Sequence, residues 1–162
     1  MEFGDFIIDV DPQYQDFARS INEYLLENDC KLKMASAKNG YVVSYQYGKK
    51  KRVLMNFVFR KSGLVTRIYA DHIGQFIDVL EAAPESMKKT VIKAPVCKRF
   101  EDPTSCNSKC GGYLFNLSDA QHQKCRYNCF LFVVNEESIP HIRMMIEKEL
   151  ECRKMSDLTA SF

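Results

Sequence analysis

Residues 53–60 read VLMNFVFR, and this stretch decides the fold class. Every second residue from its first position is apolar, which is typical of a β-strand with one face against a core. A run of four basic residues, 49–52, precedes the stretch, and Ser62-Gly63 follows it. Both flanks are typical of turns. The sequence therefore predicts a strand between two tight turns.

Three neighbouring segments have the composition of strands. Lys31–Ala37 and Tyr41–Tyr47 come before the stretch and are separated by Asn39-Gly40, a strong hairpin signal. Leu64–Ala70 comes directly after it. Connections this short join antiparallel neighbours, because a parallel crossover needs about a dozen residues. The four segments together predict an antiparallel meander.

Helical periodicity appears on both sides of this meander. Asp11 is a good N-cap, Pro12 suits the first helical position, and apolar residues then recur every three or four positions until Asn28-Asp29. Beyond the meander, Asp71 is the expected cap of a second helix. Pro84 is expected to begin a third, shorter helix.

The last third of the chain predicts two more strands and a helix. Tyr113–Leu117 has the length of a short strand, and Phe130–Val134 is apolar enough to be expected at the centre of the sheet. Asn135 or Ser138 is expected to cap the final helix, which turns apolar residues from Ile142 onward towards the core.

The order of elements predicts an α+β fold in a single domain spanning residues 1–154. We expect a mostly antiparallel sheet of about five or six strands, with helices packed on one face. A long irregular segment, residues 96–129, carries most of the cysteines, and residues 155–162 are expected to form a frayed tail. An apolar content of 46% over 162 residues is enough to build one core.

Composition narrows the expected environment and partners. The chain has 23 basic and 21 acidic residues, so its net charge of +2 does not require an acidic partner, and nucleic-acid binding is permitted but not favoured. Apolar runs are far shorter than a membrane span, and the first residues do not resemble a secretory signal. We therefore expect a cytoplasmic protein without a membrane partner. Thiols stay reduced in the cytoplasm.

Clustered cysteines carry the one recognisable chemistry. Structural zinc takes four thiolate or imidazole ligands, often as close pairs from separate segments. The pair at 106 and 110 is separated by residues that can form a tight knuckle, and an irregular segment of this length calls for an internal tie. We therefore predict a structural zinc site. Its predicted ligands are Cys97, Cys106, Cys110 and Cys125, with Cys129 and His122 as substitutes.

Placing Cys129 outside the ligand set rests on an assumption about its strand. If both Cys125 and Cys129 lay on one strand they would be roughly 13 Å apart, too far for a single zinc ion. If the segment before Phe130 is instead a turn, the two thiols form a second close pair. Two further interpretations stay open: the thiols are buried core residues, or they serve redox or sensing chemistry at Cys106 or Cys125 beside basic neighbours.

Basic residues in and beside the meander form the second candidate site, a surface for an anionic ligand. Basic side chains contact phosphates, and the tyrosines of the same strands offer stacking platforms. A solvated turn is the competing interpretation and the simpler one. The residues of this surface are Lys49, Lys50, Lys51, Arg52, Arg60 and Arg67.

The sequence thus predicts a small binding or regulatory domain with a structural zinc site. Its ligand is unknown, and a small molecule or a protein would both suit it. The alternative is a thiol-based redox or sensor protein. No residue is assigned a catalytic role: Asp71 is explained as a helix cap, and His72 and His141 as surface residues.

Overall fold

The structure is a computed structural model, and it describes residues 1–160. Five α-helices and seven strands follow one another along these residues, with short 3-10 turns at Ile73–Gln75 and Lys98–Phe100. The helices are α1 (Phe3–Asp9), α2 (Pro12–Glu27), α3 (Ile77–Glu81), α4 (Glu85–Lys93) and α5 (Ile139–Ala160). The strands are β1 (Lys31–Ala37), β2 (Gly40–Tyr47), β3 (Arg52–Arg60), β4 (Gly63–Ile68), β5 (Tyr113–Leu117), β6 (Ala120–Lys124) and β7 (Leu131–Val133).

Helix α2 begins and ends where the sequence predicts. The carboxylate of Asp11 accepts a hydrogen bond from the backbone N–H of Gln13 at 3.1 Å, which satisfies one of the donors left open at a helix start. Pro12 occupies the first helical position, and Asn28 follows the last one. The predicted cap and first residue are confirmed.

The main sheet is antiparallel throughout, in the order β1-β2-β3-β4-β7. The predicted α+β class and the meander of β1 to β4 are confirmed. The predicted central position of the Phe130–Val134 strand is wrong, because β7 pairs only with β4 and lies at the edge. Phe130, Phe132 and Val134 are buried. An apolar run therefore indicates that one face of a strand is buried. An edge strand can bury one face as well as a central strand can.

A separate two-stranded sheet joins β5 to β6. The sequence predicts β5, but β6 falls in the segment that was expected to be irregular. Its residues read AQHQK and are mostly exposed, so no apolar alternation marks the strand. The turn between the strands uses positive φ angles at Ser118 and Asp119. Asp tolerates this conformation better than most residues, which allows the tight hairpin.

The stretch VLMNFVFR packs one face of the sheet against the first two helices. Phe57 stacks on Phe6 of α1 and meets Phe17 of α2 edge to face, with ring centroids 5.5 and 6.3 Å apart. All three rings are buried. Aromatic pairs in these arrangements add to the free energy gained by burial alone. The centre of the core therefore lies at the residue that the alternating pattern turns inward.

Helix α5 begins after a reciprocal pair of caps. Asn135 Oδ1 accepts from the backbone N–H of Ser138, and Ser138 Oγ accepts from the backbone N–H of Asn135. The helix continues to Ala160, so the described part of the expected frayed tail is helical, and residues 161–162 lie outside the described residues. Within residues 1–160, every helix is too short or too polar to cross a bilayer.

Candidate functional site

A cleft of about 590 Å³ opens at one end of the five-stranded sheet. The antiparallel order brings the end of β2, the start of β3 and the end of β4 to this same end of the sheet. The C-terminal part of α5 supplies another wall. Side chains that line the cleft include Lys49, Lys50, Arg52, His72, Arg153 and Ser156.

Asp71 lies in the wall of the cleft and is surrounded by arginines. Its Oδ1 accepts from Arg126 Nε at 2.7 Å, and its Oδ2 accepts from Arg52 Nε at 2.8 Å and from Arg153 Nη2 at 3.4 Å. The hydroxyl of Tyr113 donates to Oδ1 at 3.3 Å. Three guanidiniums from β3, α5 and the segment before β7 therefore converge on one carboxylate. This contact joins parts of the chain that are far apart in sequence.

The surroundings of Asp71 keep it ionised. Burial alone would raise the pKa of this carboxyl, but hydrogen bonds from Arg126 and Arg52, together with the charges of Arg126 and Arg153, lower it below the usual value. The predicted role of Asp71 as a helix cap is wrong. The short 3-10 turn after it starts without a side-chain cap, and the carboxylate is already shared among the arginines. Local spacing suggested a cap, while distant partners determine the actual role.

Glu149 is a second, fully buried carboxylate beside Asp71. Its Oε1 accepts from Arg153 Nε at 3.0 Å and lies 2.9 Å from His72 Nδ1. Its Oε2 accepts from the backbone N–H of His72 at 3.0 Å. Arg153 also donates to the carbonyl oxygens of Tyr69 and Arg52. These bonds satisfy both charges inside the protein, which burial of an ion pair requires.

His72 joins this buried network to the open cleft. One ring nitrogen, Nδ1, faces Glu149, and the other, Nε2, lies 3.3 Å from the hydroxyl oxygen of Ser156. The side chain of His72 is 25% exposed, so it is half-buried and not the surface residue expected from the sequence. Both His72 and Ser156 line the cleft. The imidazole is therefore held on one side and accessible on the other.

The pattern of α5 contains a signal for Glu149 and Arg153. Buried positions recur along α5 at helical spacing, and apolar residues fill all of them except these two. A glutamate and an arginine four residues apart on the inward face of a helix indicate a buried ion pair. The buried residues of α5 are Ile142, Met145, Ile146, Glu149, Leu150 and Arg153.

The structure places the six predicted basic residues in different environments. Lys49, Lys50 and Arg52 line the cleft. Arg60 lies at the opposite end of β3, paired with Gly63, and Lys51 lies in the exposed β2–β3 turn. The structure thus brings three of the six to one site and adds Arg153, which is not among the predicted residues.

Arg67, the remaining member of that set, is buried on the sheet. Its guanidinium carbon lies 3.8 Å from the ring centroid of Tyr127, and its Nε donates to the carbonyl oxygen of the same residue at 2.9 Å. Only 3% of Arg67 is exposed. A cation stacked on an aromatic ring in this way stabilises the packing of the turn over the sheet. Arg67 therefore does not contribute to the cleft.

The predicted zinc ligands differ in exposure. Cys97 is buried, Cys106 is exposed, and Cys110 and Cys125 are half-buried. Among residues 1–160, the structure assembles no group of three or more Cys, His, Asp or Glu side chains that could hold a metal ion. His122 Nε2 lies 3.2 Å from the carbonyl oxygen of Leu117. The zinc site stays a prediction of the sequence.

The strand assumption behind the ligand set is wrong. Residues 126–130 form a turn, and the N–H of Cys129 donates to the carbonyl oxygen of Cys125 at 2.9 Å. The two cysteines are therefore one helical turn apart, and the alternative of a close pair fits this backbone. Cys129 is nonetheless fully buried, as predicted, and burial strongly raises the pKa of its thiol.

One arginine ties the irregular loop that precedes β5. The guanidinium of Arg99 donates four hydrogen bonds to backbone carbonyl oxygens of residues 103–110, at 2.5 to 3.2 Å. The internal tie that the sequence analysis assigned to a metal is thus present as a side chain. The accepting residues are Pro103, Asn107, Ser108 and Cys110.

Comparison of the chain with protein-family models, with curated proteins and with solved structures found no match. The function of the cleft is therefore argued from its own geometry and charge.

Proposed function

We propose that this protein is a small binding domain whose cleft takes an anionic small molecule carrying phosphate or carboxylate groups. The observation that supports the proposal is an excess of positive charge in a concave site. Four cationic side chains line the cleft, and the carboxylates among its lining residues are Asp71 and Asp157. Ligand sites are typically concave, with a few polar groups that converge on the bound molecule.

The two carboxylates are already engaged by the protein. Asp71 accepts from three arginines, and Asp157 hydrogen-bonds to Tyr47. The arginines offset the negative charge of Asp71, whereas the hydrogen bond from the uncharged Tyr47 leaves Asp157 with its charge. The ammonium groups of the two cleft lysines outnumber this one carboxylate, and a bound anion would neutralise the remaining positive charge.

Arg52 is well placed to contact such a ligand. Its Nε is anchored on Asp71 Oδ2 at 2.8 Å, and 54% of its side chain stays exposed. An anchored guanidinium loses little further conformational entropy on binding, and its planar fork matches the oxygens of phosphate or carboxylate. Arg52 therefore supplies directional hydrogen bonds, while Lys49 and Lys50 supply charge.

Isothermal titration with pyrophosphate and with citrate tests this proposal on the full chain. The double variant Lys49→Glu/Lys50→Glu should weaken binding of whichever probe binds by about tenfold or more, because it turns attraction into repulsion. The matched control is Arg60→Glu/Lys61→Glu, which makes the same change of charge at the opposite end of β3. Equal weakening by both variants, or no binding of either probe, would contradict an anion site in the cleft.

The zinc-bearing and thiol-redox functions inferred from the cysteines stay as sequence predictions. They concern residues 97–129 and do not depend on the cleft. A binding domain can also hold a structural metal, so the first of them is compatible with the proposal.

A further inference from the structure

We infer that Ser156 is an activated nucleophile, with His72 as its base, and that the cleft hydrolyses esters of anionic acyl compounds. This inference deepens the proposed function, because it rests on the same cationic cleft to hold the substrate. The inference rests on three side chains in a row: the serine contacts the histidine, and the histidine contacts a glutamate. Such a constellation is recognised by its geometry and by the role of each member.

The contacts lie at or just beyond hydrogen-bond distance. Ser156 Oγ lies 3.3 Å from His72 Nε2, and His72 Nδ1 lies 2.9 Å from Glu149 Oε1. With the proton of a neutral imidazole on Nδ1, the ring donates to Glu149 and leaves Nε2 free to accept from the serine hydroxyl. A serine–histidine distance at the long end of hydrogen bonding commonly shortens when a substrate binds.

Glu149 fixes the orientation of the imidazole. Its other oxygen accepts from the backbone N–H of His72 at 3.0 Å, so one carboxylate holds both the ring and the main chain of the same residue. Glu149 is fully buried and is itself held by Arg153 Nε at 3.0 Å. A base oriented by a third, buried group is the arrangement that nucleophilic catalysis uses.

The serine differs from its neighbour on the same helix. The hydroxyl of Thr159 donates to backbone carbonyl oxygens of α5, which is the usual behaviour of a hydroxyl in a helix. The hydroxyl of Ser156 instead contacts the histidine. Ser156 is exposed and lines the cleft, so a substrate can reach it.

Cations of the cleft suit both the ester carbonyl and the anionic group of such a substrate. Attack on an ester carbonyl places negative charge on its oxygen, and positive groups already fixed in position stabilise that charge. Arg52 is held by Asp71 on the wall of the same cleft, and its side chain stays accessible to a substrate. Lys49 and Lys50 line the same cleft, and their ammonium groups can hold a carboxylate or phosphate elsewhere on the acyl group.

The reaction balances with water as the only co-substrate. Ser156 Oγ bonds to the ester carbonyl carbon while His72 Nε2 takes the hydroxyl proton. The ester C–O bond then breaks, and the alcohol leaves with that proton. Water attacks the acyl-serine, and its proton passes to Nε2. The bond to Ser156 Oγ then breaks, Nε2 returns the proton to Oγ, and the acid is released with the serine and the neutral imidazole restored.

Labelling of the full chain with an alkyl fluorophosphonate tests the nucleophile. The serine oxygen displaces fluoride from phosphorus, and peptide mass spectrometry locates the adduct. We expect one adduct per chain, at Ser156. Ser156→Ala, an exposed and fold-neutral change, should abolish it, and His72→Gln should slow it about a hundredfold or more. Ser62→Ala, at the exposed turn after β3, should label like the parent.

Hydrolysis of a 4-nitrophenyl ester with a free carboxylate, compared with a neutral 4-nitrophenyl ester, tests the substrate class. We expect a higher kcat/KM for the anionic ester, and Lys49→Glu/Lys50→Glu should remove this preference while the adduct at Ser156 still forms. No adduct, or an adduct that persists in Ser156→Ala, would overturn the nucleophile even if pyrophosphate binds. An adduct without any preference for the anionic ester would overturn the assigned substrate class.

Discussion

Asp71 carries its charge in a half-buried position on the cleft wall because Arg52, Arg126 and Arg153 surround it. Removing one partner from a buried ion pair leaves the others with an uncompensated charge, which costs more than the pair itself contributes. The three arginines also come from different parts of the fold. The carboxylate therefore acts as the junction that holds the walls of the cleft together.

Asp71→Asn should lower the free energy of unfolding at neutral pH by about 3 kcal/mol, because it keeps the shape and removes the charge. The pKa of Asp71 is lowered in the folded protein, so its contribution is fully present above the unfolded value of about 4. The contribution is lost as the pH falls through the lower, folded pKa. The difference between variant and parent should therefore shrink below about pH 4, measured by urea unfolding across a pH series.

Asp16→Asn on the exposed side of α2 is the matched control, and we expect it to change stability by less than about 0.5 kcal/mol. A loss of stability in Asp71→Asn that stays constant down to pH 2 would show that the charge of Asp71 is not the cause.

For single residues, the sequence predicts a structural role when the partners are close along the chain. The cap at Asp11 is of this kind, since its acceptor role involves Gln13. Asp71 and His72 are not, because their partners are contributed by residues 19 to 84 positions away. A local cap was a sufficient explanation for Asp71, and nothing in the neighbouring sequence contradicted it.

Arg99 links residues along the loop before β5 through its guanidinium group. Arg99→Ala should remove four hydrogen bonds to backbone carbonyl oxygens and speed amide hydrogen exchange in residues 101–112 by about tenfold. The five-stranded sheet should keep its exchange rates, because Arg99 makes no hydrogen bond to it among the described contacts. Exchange measured by mass spectrometry resolves the two regions.

Lys98→Ala is the control for that experiment, since Lys98 is the exposed neighbour of Arg99 and the charge removed is the same. Unchanged exchange in the loop of Arg99→Ala would mean that other contacts hold the loop. Equal acceleration in both variants would trace the effect to charge and not to the hydrogen bonds.

Elements could be predicted where local pattern and turn chemistry agree. Strands β1 to β4 combine alternating residues with turns at Gly40 and Gly63, both of which adopt positive φ. Strand β6 has neither an apolar face nor a glycine turn, and it pairs with β5 and, through one isolated bridge, with Val96. The edge position of β7 depends on pairing with β4, about 65 residues earlier, which no local signal encodes.

For the whole molecule, the question is whether the fold can bring the predicted cysteine ligands to one zinc ion. A zinc ion needs four ligands within about 2.3 Å of it, so their sulfur atoms must lie roughly 4 Å apart. The described fold has Cys97 buried and Cys106 exposed. The predicted site therefore requires the loop of residues 101–112 to carry Cys106 inward when metal is present.

Native mass spectrometry of protein purified without chelator shows whether the chain binds the predicted zinc ion. The sequence prediction requires one zinc ion per chain, lost from Cys110→Ser and retained in Cys152→Ser, which lies outside the cluster. Alkylation of the native chain supplies an independent check. Cys30, whose pKa burial raises to about 11, and Cys129 should react slowest with or without metal. Cys106 should react fast only when zinc is absent. A metal-free chain with a fast-reacting Cys106 would contradict the zinc site and leave Arg99 as the tie of the loop.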